Sequence, residues 1–157
     1  MSDTSVTSAT GMPLNQVTVT TSSSSQSQTQ DGYPTVLQIS CAKTYHFEAA
    51  HFLPKHEGKC RRLHGHNYRV EVTCRGSMAG LHRDDGSAGM VKDFYDIDQD
   101  LQKVIGPWDH RLINDYIFNP TAENMALSIL LQLRSLDQRY SKVTVWETDD
   151  CYATASA

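Results

Sequence analysis

The chain has 157 residues, enough for one domain with a hydrophobic core, and its formal charge of -4 argues against a general nucleic-acid-binding surface. Its four cysteines lie far apart with no C-x-x-C pair, which is typical of reduced thiols in a cytoplasmic protein. No apolar run approaches the roughly 20 residues of a membrane-spanning helix, so no membrane segment is predicted.

The first 34 residues differ in composition from everything that follows. Residues 1–34 are rich in Ser, Thr and Gln, and no Lys or Arg occurs before Lys43. The segment has neither the basic start and apolar stretch of a secretory signal nor the arginines of an organellar transit peptide. With little to bury, it is predicted to be a disordered tail in front of one folded domain over 35–157.

Two stretches of alternating apolar and polar residues predict the first two strands, over 36–50 and 64–76. Alternate residues of a strand share a face, so His64, His66 and Tyr68 point the same way, towards the apolar side. The alternating residues on the apolar face of the first strand continue as far as His51. If the two strands pair antiparallel, His51 comes near His64 and His66.

Three histidines with an open fourth position are typical of a catalytic zinc site. The alternative is that His64 and His66 mark a solvated strand end, which is the commoner meaning of an isolated H-x-H. The third histidine on an apolar face, with Cys60 between it and the pair, favours a metal.

Helical spacing of apolar residues follows a Gly-rich turn region over 76–89, where His82 is predicted to be exposed. Asp96 is predicted to cap the first helix, which Gly106 and Pro107 end. Thr121 is predicted to cap the second. The buried stripe of the second helix comprises Ala122, Met125, Ala126, Ile129, Leu130, Leu133 and Leu136.

The chain closes with a strand over 142–148, a turn at Asp149 and Asp150, and a short strand over 151–155. The predicted order is ββααββ. This order predicts an α+β fold, with an antiparallel sheet and both helices on one of its faces.

Glu147 breaks the pattern of the third strand, because it shares a face with Val143 and Val145. A carboxylate on an apolar face is costly unless it is paired. It either reaches water at a frayed strand end or waits in a pocket for a ligand. The adjacent N–H groups of a pterin or guanine edge would suit a bidentate carboxylate.

Two further features are ambiguous when taken alone. Cys60 lies in a loop rich in Lys and Arg, where cations favour the thiolate, yet an ordinary solvated loop would look the same. The basic residues themselves suit either a polyanion clamp or a solvated loop. Asp109 can orient the adjacent imidazole of His110, but a lone Asp-His pair is weak evidence for a function.

Six segments occur together in one order: FEAAH (47–51), CRRLHGHNY (60–68), GMVKDF (89–94), WDHRLIND (108–115), NPTAENMA (119–126) and VWET (145–148). With these segments the chain resembles the 6-pyruvoyltetrahydropterin synthase / 6-carboxytetrahydropterin synthase (QueD) family, over about residues 36–155. The resemblance implies the tunnelling fold, in which ββααββ subunits join edge to edge into a barrel, commonly a hexamer made of two trimers.

The resemblance also implies the chemistry of the site. It implies Zn²⁺ on the three histidines and 7,8-dihydroneopterin triphosphate as substrate, with Glu147 holding the pterin edge as one of the catalytic residues. Cys60 would be the base that removes a proton. Asp109 and His110 would form a relay, with His110 brought beside Cys60 from a neighbouring subunit. Thr121 would help to hold the pterin.

Two branches of the family differ in product. One forms 6-pyruvoyltetrahydropterin; the other also releases acetaldehyde and leaves 6-carboxytetrahydropterin, on the way to 7-deazapurines such as queuosine. The compact C-x-x-x-H-G-H spacing from Cys60 to His66 resembles the carboxy-forming branch. The alternatives are the pyruvoyl-forming enzyme, a zinc- or pterin-binding module without catalysis, and a general zinc hydrolase.

Overall fold

The computed structural model describes residues 38–77, 86 and 89–157. Its strands and helices are β1 (Gln38–His51), β2 (His64–Ser77), α1 (Phe94–Ile105), α2 (Ala122–Leu136), β3 (Tyr140–Trp146) and β4 (Tyr152–Ser156). The four strands form one antiparallel sheet in the order β1-β2-β3-β4. The predicted ββααββ order and antiparallel α+β class are therefore confirmed.

The core lies between the sheet and the two helices, and β2 forms its centre. Tyr68, Val70, Val72 and Cys74 occupy alternate positions of β2 and are all fully buried. They pack against the apolar stripes of both helices, which comprise Ile97, Leu101 and Ile105 of α1 and Met125, Ile129 and Leu133 of α2. Both helices therefore cover the face of the sheet that carries the even positions of β2.

The helix starts differ from prediction at one place. Thr121 caps α2 as predicted, because its hydroxyl accepts a hydrogen bond from the Asn124 N–H at 3.3 Å. The cap of α1 is Asp93 and not Asp96: the Asp93 carboxylate accepts from the Tyr95 N–H at 2.8 Å. Asp96 lies in the first turn, where its negative charge suits the helix dipole.

The strand ends also differ. The third strand ends at Trp146, so Glu147 belongs to the turn that joins β3 to β4, where its N–H donates to the Cys151 carbonyl at 3.0 Å.

The predictions for residues 1–37, which include the tail and the start of the first strand, lie outside the described residues, as does His82. Within the described ranges, no helix has the length and apolar character needed to span a membrane.

A nearly buried ion-pair cluster joins α1 to the end of α2. The Lys92 ammonium lies 3.2 Å from Asp100 and 3.1 Å from Asp137, and Asp137 also pairs with Arg139. Hydrogen bonds from Arg139 and Lys92 hold the pKa of Asp137 below its usual range. A depressed pKa means that this stabilisation is present above about pH 4 and is lost as the pH falls through the folded-state pKa.

We therefore expect Asp137→Asn to lower the free energy of unfolding at pH 7 by about 2 kcal/mol, because it breaks a nearly buried network. The difference from wild type should shrink in urea unfolding as the pH is lowered below about 4. The control is Asp98→Asn, since Asp98 pairs with Lys43 at the surface and such pairs contribute at most about 1 kcal/mol. Equal losses in the two variants would contradict the assignment.

Candidate active site

Three imidazoles meet where β1 ends and β2 begins. The register pairs His51 directly with His64, and His66 follows two residues later on the same face. One ring nitrogen from each residue lies within 4.8 Å of the others. The ring centroids are 4.4 Å (His51–His64), 5.1 Å (His51–His66) and 5.2 Å (His64–His66) apart. The antiparallel pairing predicted from the alternation thus brings the three histidines together.

Backbone carbonyls orient two of the rings. His51 Nδ1 lies 2.9 Å from the Pro120 carbonyl oxygen, and His64 Nδ1 lies 2.6 Å from that of Arg62. Because a carbonyl only accepts, each Nδ1–H must donate, which leaves the Nε2 lone pair of each ring free. A ring N–H held by a carbonyl is the usual outer partner of a metal-binding histidine.

Two ring nitrogens of this cluster lack hydrogen-bond partners. Nε2 of His51 and Nε2 of His66 are both buried and have no hydrogen bond. Buried polar nitrogens without a partner are rare in native structures because desolvation is costly. These atoms fit a metal, which would accept both lone pairs.

The protonation state of His51 and His66 is also the one that binds a metal. Burial lowers the pKa of both His51 and His66, and the negative charge of Glu147 and backbone acceptors offset this only in part. Rings with a pKa below the usual value of about 6.5 are neutral at pH 7. The neutral imidazole is the form that binds a metal.

Glu147 lies beside this centre but just beyond the strand on which it was predicted. It is half-buried, and its charge acts on His51, His66 and the buried Tyr68. It lines a surface depression together with His66 and His110. A carboxylate in this depression is accessible to a ligand.

Asp109 and His110 are docked on the outer edge of β1. The Glu48 N–H donates to Asp109 Oδ1 at 3.1 Å, and the His110 N–H donates to the Glu48 carbonyl at 2.6 Å. Asp109 Oδ1 lies 2.9 Å from His110 Nδ1, so the carboxylate orients the ring. His110 has φ of 55°, a left-handed conformation that is uncommon for non-glycine residues and is often found at functional sites.

Cys60 lies apart from these groups. It occupies a short 3₁₀ turn, Lys59–Arg61, where its carbonyl accepts from the Leu53 N–H at 2.8 Å and its side chain is half-buried. It does not line the depression that contains His66, His110 and Glu147. The basic side chains around it are exposed.

Thr121 is linked to the histidine centre through its neighbour. Its hydroxyl is used by the helix cap, and the preceding residue, Pro120, supplies the carbonyl that holds His51.

Sequence reasoning missed several residues that shape the site. The Pro120 carbonyl and the contacts of Glu48 arise from long-range backbone docking, for which the sequence carries no local signal. Asn114 belongs with them, since its amide donates to the Phe52 carbonyl at 2.8 Å and its oxygen accepts from the Phe52 N–H at 2.9 Å. Tyr68 was visible in the alternation of β2, because it shares the face of His64 and His66.

A comparison with known protein families shows which family the chain belongs to. The family model described as 6-pyruvoyl tetrahydropterin synthase matches residues 40–157. The chain therefore belongs to the 6-pyruvoyl tetrahydropterin synthase family, and it is an enzyme of the lyase class.

Two of the relatives are named as 6-carboxy-5,6,7,8-tetrahydropterin synthases. The 6-carboxy-5,6,7,8-tetrahydropterin synthase of Haemophilus influenzae is 32% identical over an alignment of 131 positions, and the match covers 68% of this chain and 91% of the relative. The enzyme of the same name from Synechocystis sp. is 40% identical over 94 residues, 58% of this chain and 71% of the relative.

A solved structure matches as well. The Caenorhabditis elegans 6-pyruvoyl tetrahydropterin synthase superimposes with a TM-score of 0.67 at 28% identity, and the match covers 77% of this chain and 96% of that chain. The tunnelling fold predicted for the subunit is thereby confirmed.

Proposed function

We propose that this protein is a zinc-dependent lyase that converts 7,8-dihydroneopterin triphosphate and water into 6-carboxy-5,6,7,8-tetrahydropterin, acetaldehyde and triphosphate. The observation that carries the proposal is the triad of His51, His64 and His66, in which Nε2 of His51 and of His66 is buried and unpartnered, in a member of this family. The carboxy-forming branch is supported by the compact spacing from Cys60 to His66 and by the names of the two bacterial relatives.

The three histidines fit Zn²⁺ better than magnesium or calcium. Three imidazole nitrogens with no carboxylate among them suit zinc, whereas magnesium and calcium prefer oxygen ligands. Zinc bound there would act as a Lewis acid that acidifies the carbons next to the substrate's side-chain oxygens. The carbonyls of Pro120 and Arg62 fix the rings before any metal arrives, which lowers the ordering cost of binding.

Glu147 would fix the orientation of the substrate. A pterin presents adjacent N–H donors along one edge, and a carboxylate can accept two of them at once. The half-buried position of Glu147 in the same depression as His66 would place that edge close to the metal centre. Thr121, next to Pro120, would contact the pterin from the start of α2.

Cys60 and the Asp109–His110 pair would move protons. The Cys60 thiolate would remove a proton from the substrate's side chain, and His110 would return one, held in its tautomer by Asp109. The electron pair left on the substrate would then expel the triphosphate as its C–O bond breaks. In the carboxy-forming branch, water would next add to the side-chain carbon attached to the ring, and cleavage of the bond from that carbon to the following one would release acetaldehyde and leave the carboxylate.

These groups would meet between subunits. Within one chain the side chain of His110 is 75% exposed, and Cys60 does not line the depression that contains it. We therefore place the complete site where two chains join, in a homo-oligomer that would be a hexamer.

We assign residues 35–157 to this catalytic domain and 1–34 to an accessory tail. We place the protein in the cytoplasm, in keeping with four free cysteines.

Product analysis tests this assignment against its alternatives. The protein is incubated with Zn²⁺ and 7,8-dihydroneopterin triphosphate, and the products are identified by mass spectrometry. Acetaldehyde together with the carboxylated pterin is expected. A pyruvoyl product without acetaldehyde would indicate the other branch, the activity named for the C. elegans relative. No release of triphosphate would instead indicate a binding module without catalysis.

A further inference from the structure

A third buried atom without a partner belongs to a ring that packs against the histidine centre. In the part of the chain that the structure describes, three buried side-chain nitrogen or oxygen atoms lack a hydrogen-bond partner: His51 Nε2, His66 Nε2 and Tyr68 Oη. The ring centroid of Tyr68 is 5.9 Å from that of His51 and 5.4 Å from that of His66. The proposed metal would account for the two nitrogens but not for the hydroxyl.

The Tyr68 ring cannot turn its hydroxyl towards water. Tyr68 is fully buried and stacks on Phe47 with ring centroids 4.9 Å apart and planes 13° from parallel. A buried hydroxyl without a partner is costly, so most find one. Tyr140, which is also fully buried, illustrates this, since its hydroxyl donates to the Asp100 carboxylate at 2.9 Å.

We propose that the Tyr68 hydroxyl donates a hydrogen bond to the non-protein oxygen that completes the coordination of the metal. This inference rests on the metal site of the proposed function. A phenol is neutral at pH 7, because its ordinary pKa is about 10, so it is available as a donor. In the proposed function the Nε2 atoms of His51 and His66 would bind the metal, and Glu147, whose charge acts on Tyr68, would hold the pterin edge, which leaves the oxygen ligand as the acceptor.

The hydrogen bond has a chemical consequence. A donor stabilises an anionic oxygen more than a neutral one. Tyr68 would therefore favour the deprotonated form of water at the fourth position, and of a substrate oxygen that replaces it. Tyr68 would thus tune the acidity of the centre without being one of its ligands.

Cobalt substitution tests this without relying on turnover. Co²⁺ replaces Zn²⁺ in the full-length protein, and its visible spectrum is followed against pH in wild type, Tyr68→Phe and the control Tyr140→Phe. We expect each protein to bind one Co²⁺ per chain. The spectral midpoint should rise by about one pH unit in Tyr68→Phe, a tenfold loss of acidity, and stay unchanged in Tyr140→Phe.

Several outcomes would overturn the proposal. An unchanged midpoint in Tyr68→Phe would refute the proposed hydrogen bond, and so would a wild-type spectrum that does not respond to pH. Neither result would count against the metal site itself. Loss of Co²⁺ binding by more than about 100-fold in Tyr68→Phe would mean that the hydroxyl is itself a ligand. Failure of the wild type to bind Co²⁺ or Zn²⁺ would refute the proposed function as well.

A second measurement needs no substitution and covers the case in which Tyr68→Phe does not fold. Wild-type protein labelled with ¹³C at the Cζ of its seven tyrosines is titrated with Zn²⁺. The resonance of Tyr68, assigned through its contacts with Phe47, should shift on binding, whereas that of Tyr140 should not. A Tyr68 resonance that stays in place at saturating Zn²⁺ would contradict the proposal.

Discussion

Replacing His66 with alanine is expected to lower the affinity for Zn²⁺ by more than about 100-fold, since loss of even an outer partner of a metal ligand costs 10–100-fold. Among the described residues, His66 supplies one of two buried side-chain nitrogens without a hydrogen-bond partner, and its removal leaves only two imidazoles at the centre. Turnover should fall in proportion to the zinc that the variant loses. The affinity is measured by competition with a coloured chelator.

The matched control for this substitution is His46→Ala. His46 lies on the same pair of strands but is exposed, so its loss should leave zinc affinity within about twofold of wild type. Retention of full zinc affinity by the His66 variant would show that the three histidines do not form one metal site.

Replacing Cys60 with alanine is expected to reduce turnover by about 1,000-fold, within the range that general-base catalysis contributes. Zinc content should not change, because Cys60 is not in the group of potential ligands formed by the three histidines. The fold should also persist, because the structural contact of Cys60 with Leu53 uses its backbone carbonyl. The measurement is the rate of triphosphate release at saturating zinc.

Cys151→Ala is the control, since this exposed cysteine lies in the turn before β4. It should retain wild-type turnover. If the Cys60 variant kept more than about a tenth of wild-type activity with its zinc intact, the base would have to be another group.

The parts of the site that follow from strand geometry could be predicted from the sequence. Alternation with a period of two fixes which residues of β1 and β2 share the helix-covered face, and a short connection favours antiparallel pairing. These two rules predict that His51 comes near His64 and His66, and the structure adds the register, in which His51 pairs directly with His64. They say nothing about which carbonyls hold the rings, because Pro120 reaches His51 only through the packing of the second helix.

Positions at the ends of elements were harder to predict. Glu147 was placed on β3, yet the strand stops one residue earlier, where the turn to β4 takes up its N–H. Asp96 is the predicted cap of α1, but the structure places the cap at Asp93, where the local backbone lets the carboxylate accept from the Tyr95 N–H. The docking of Asp109 and His110 on Glu48 depends on an unpaired strand edge, which no local pattern reveals. How Cys60 and His110 come together depends on the assembly of several chains.

The most direct test of a catalytic zinc on three histidines is a metal titration of the reaction itself. Apoprotein is prepared with a chelator, Zn²⁺ is added in steps, and triphosphate release and bound metal are measured on each sample. Product formation should rise linearly and reach a plateau at one Zn²⁺ per chain. Turnover in the metal-free protein, or a plateau unrelated to metal bound at His51, His64 and His66, would contradict the proposal.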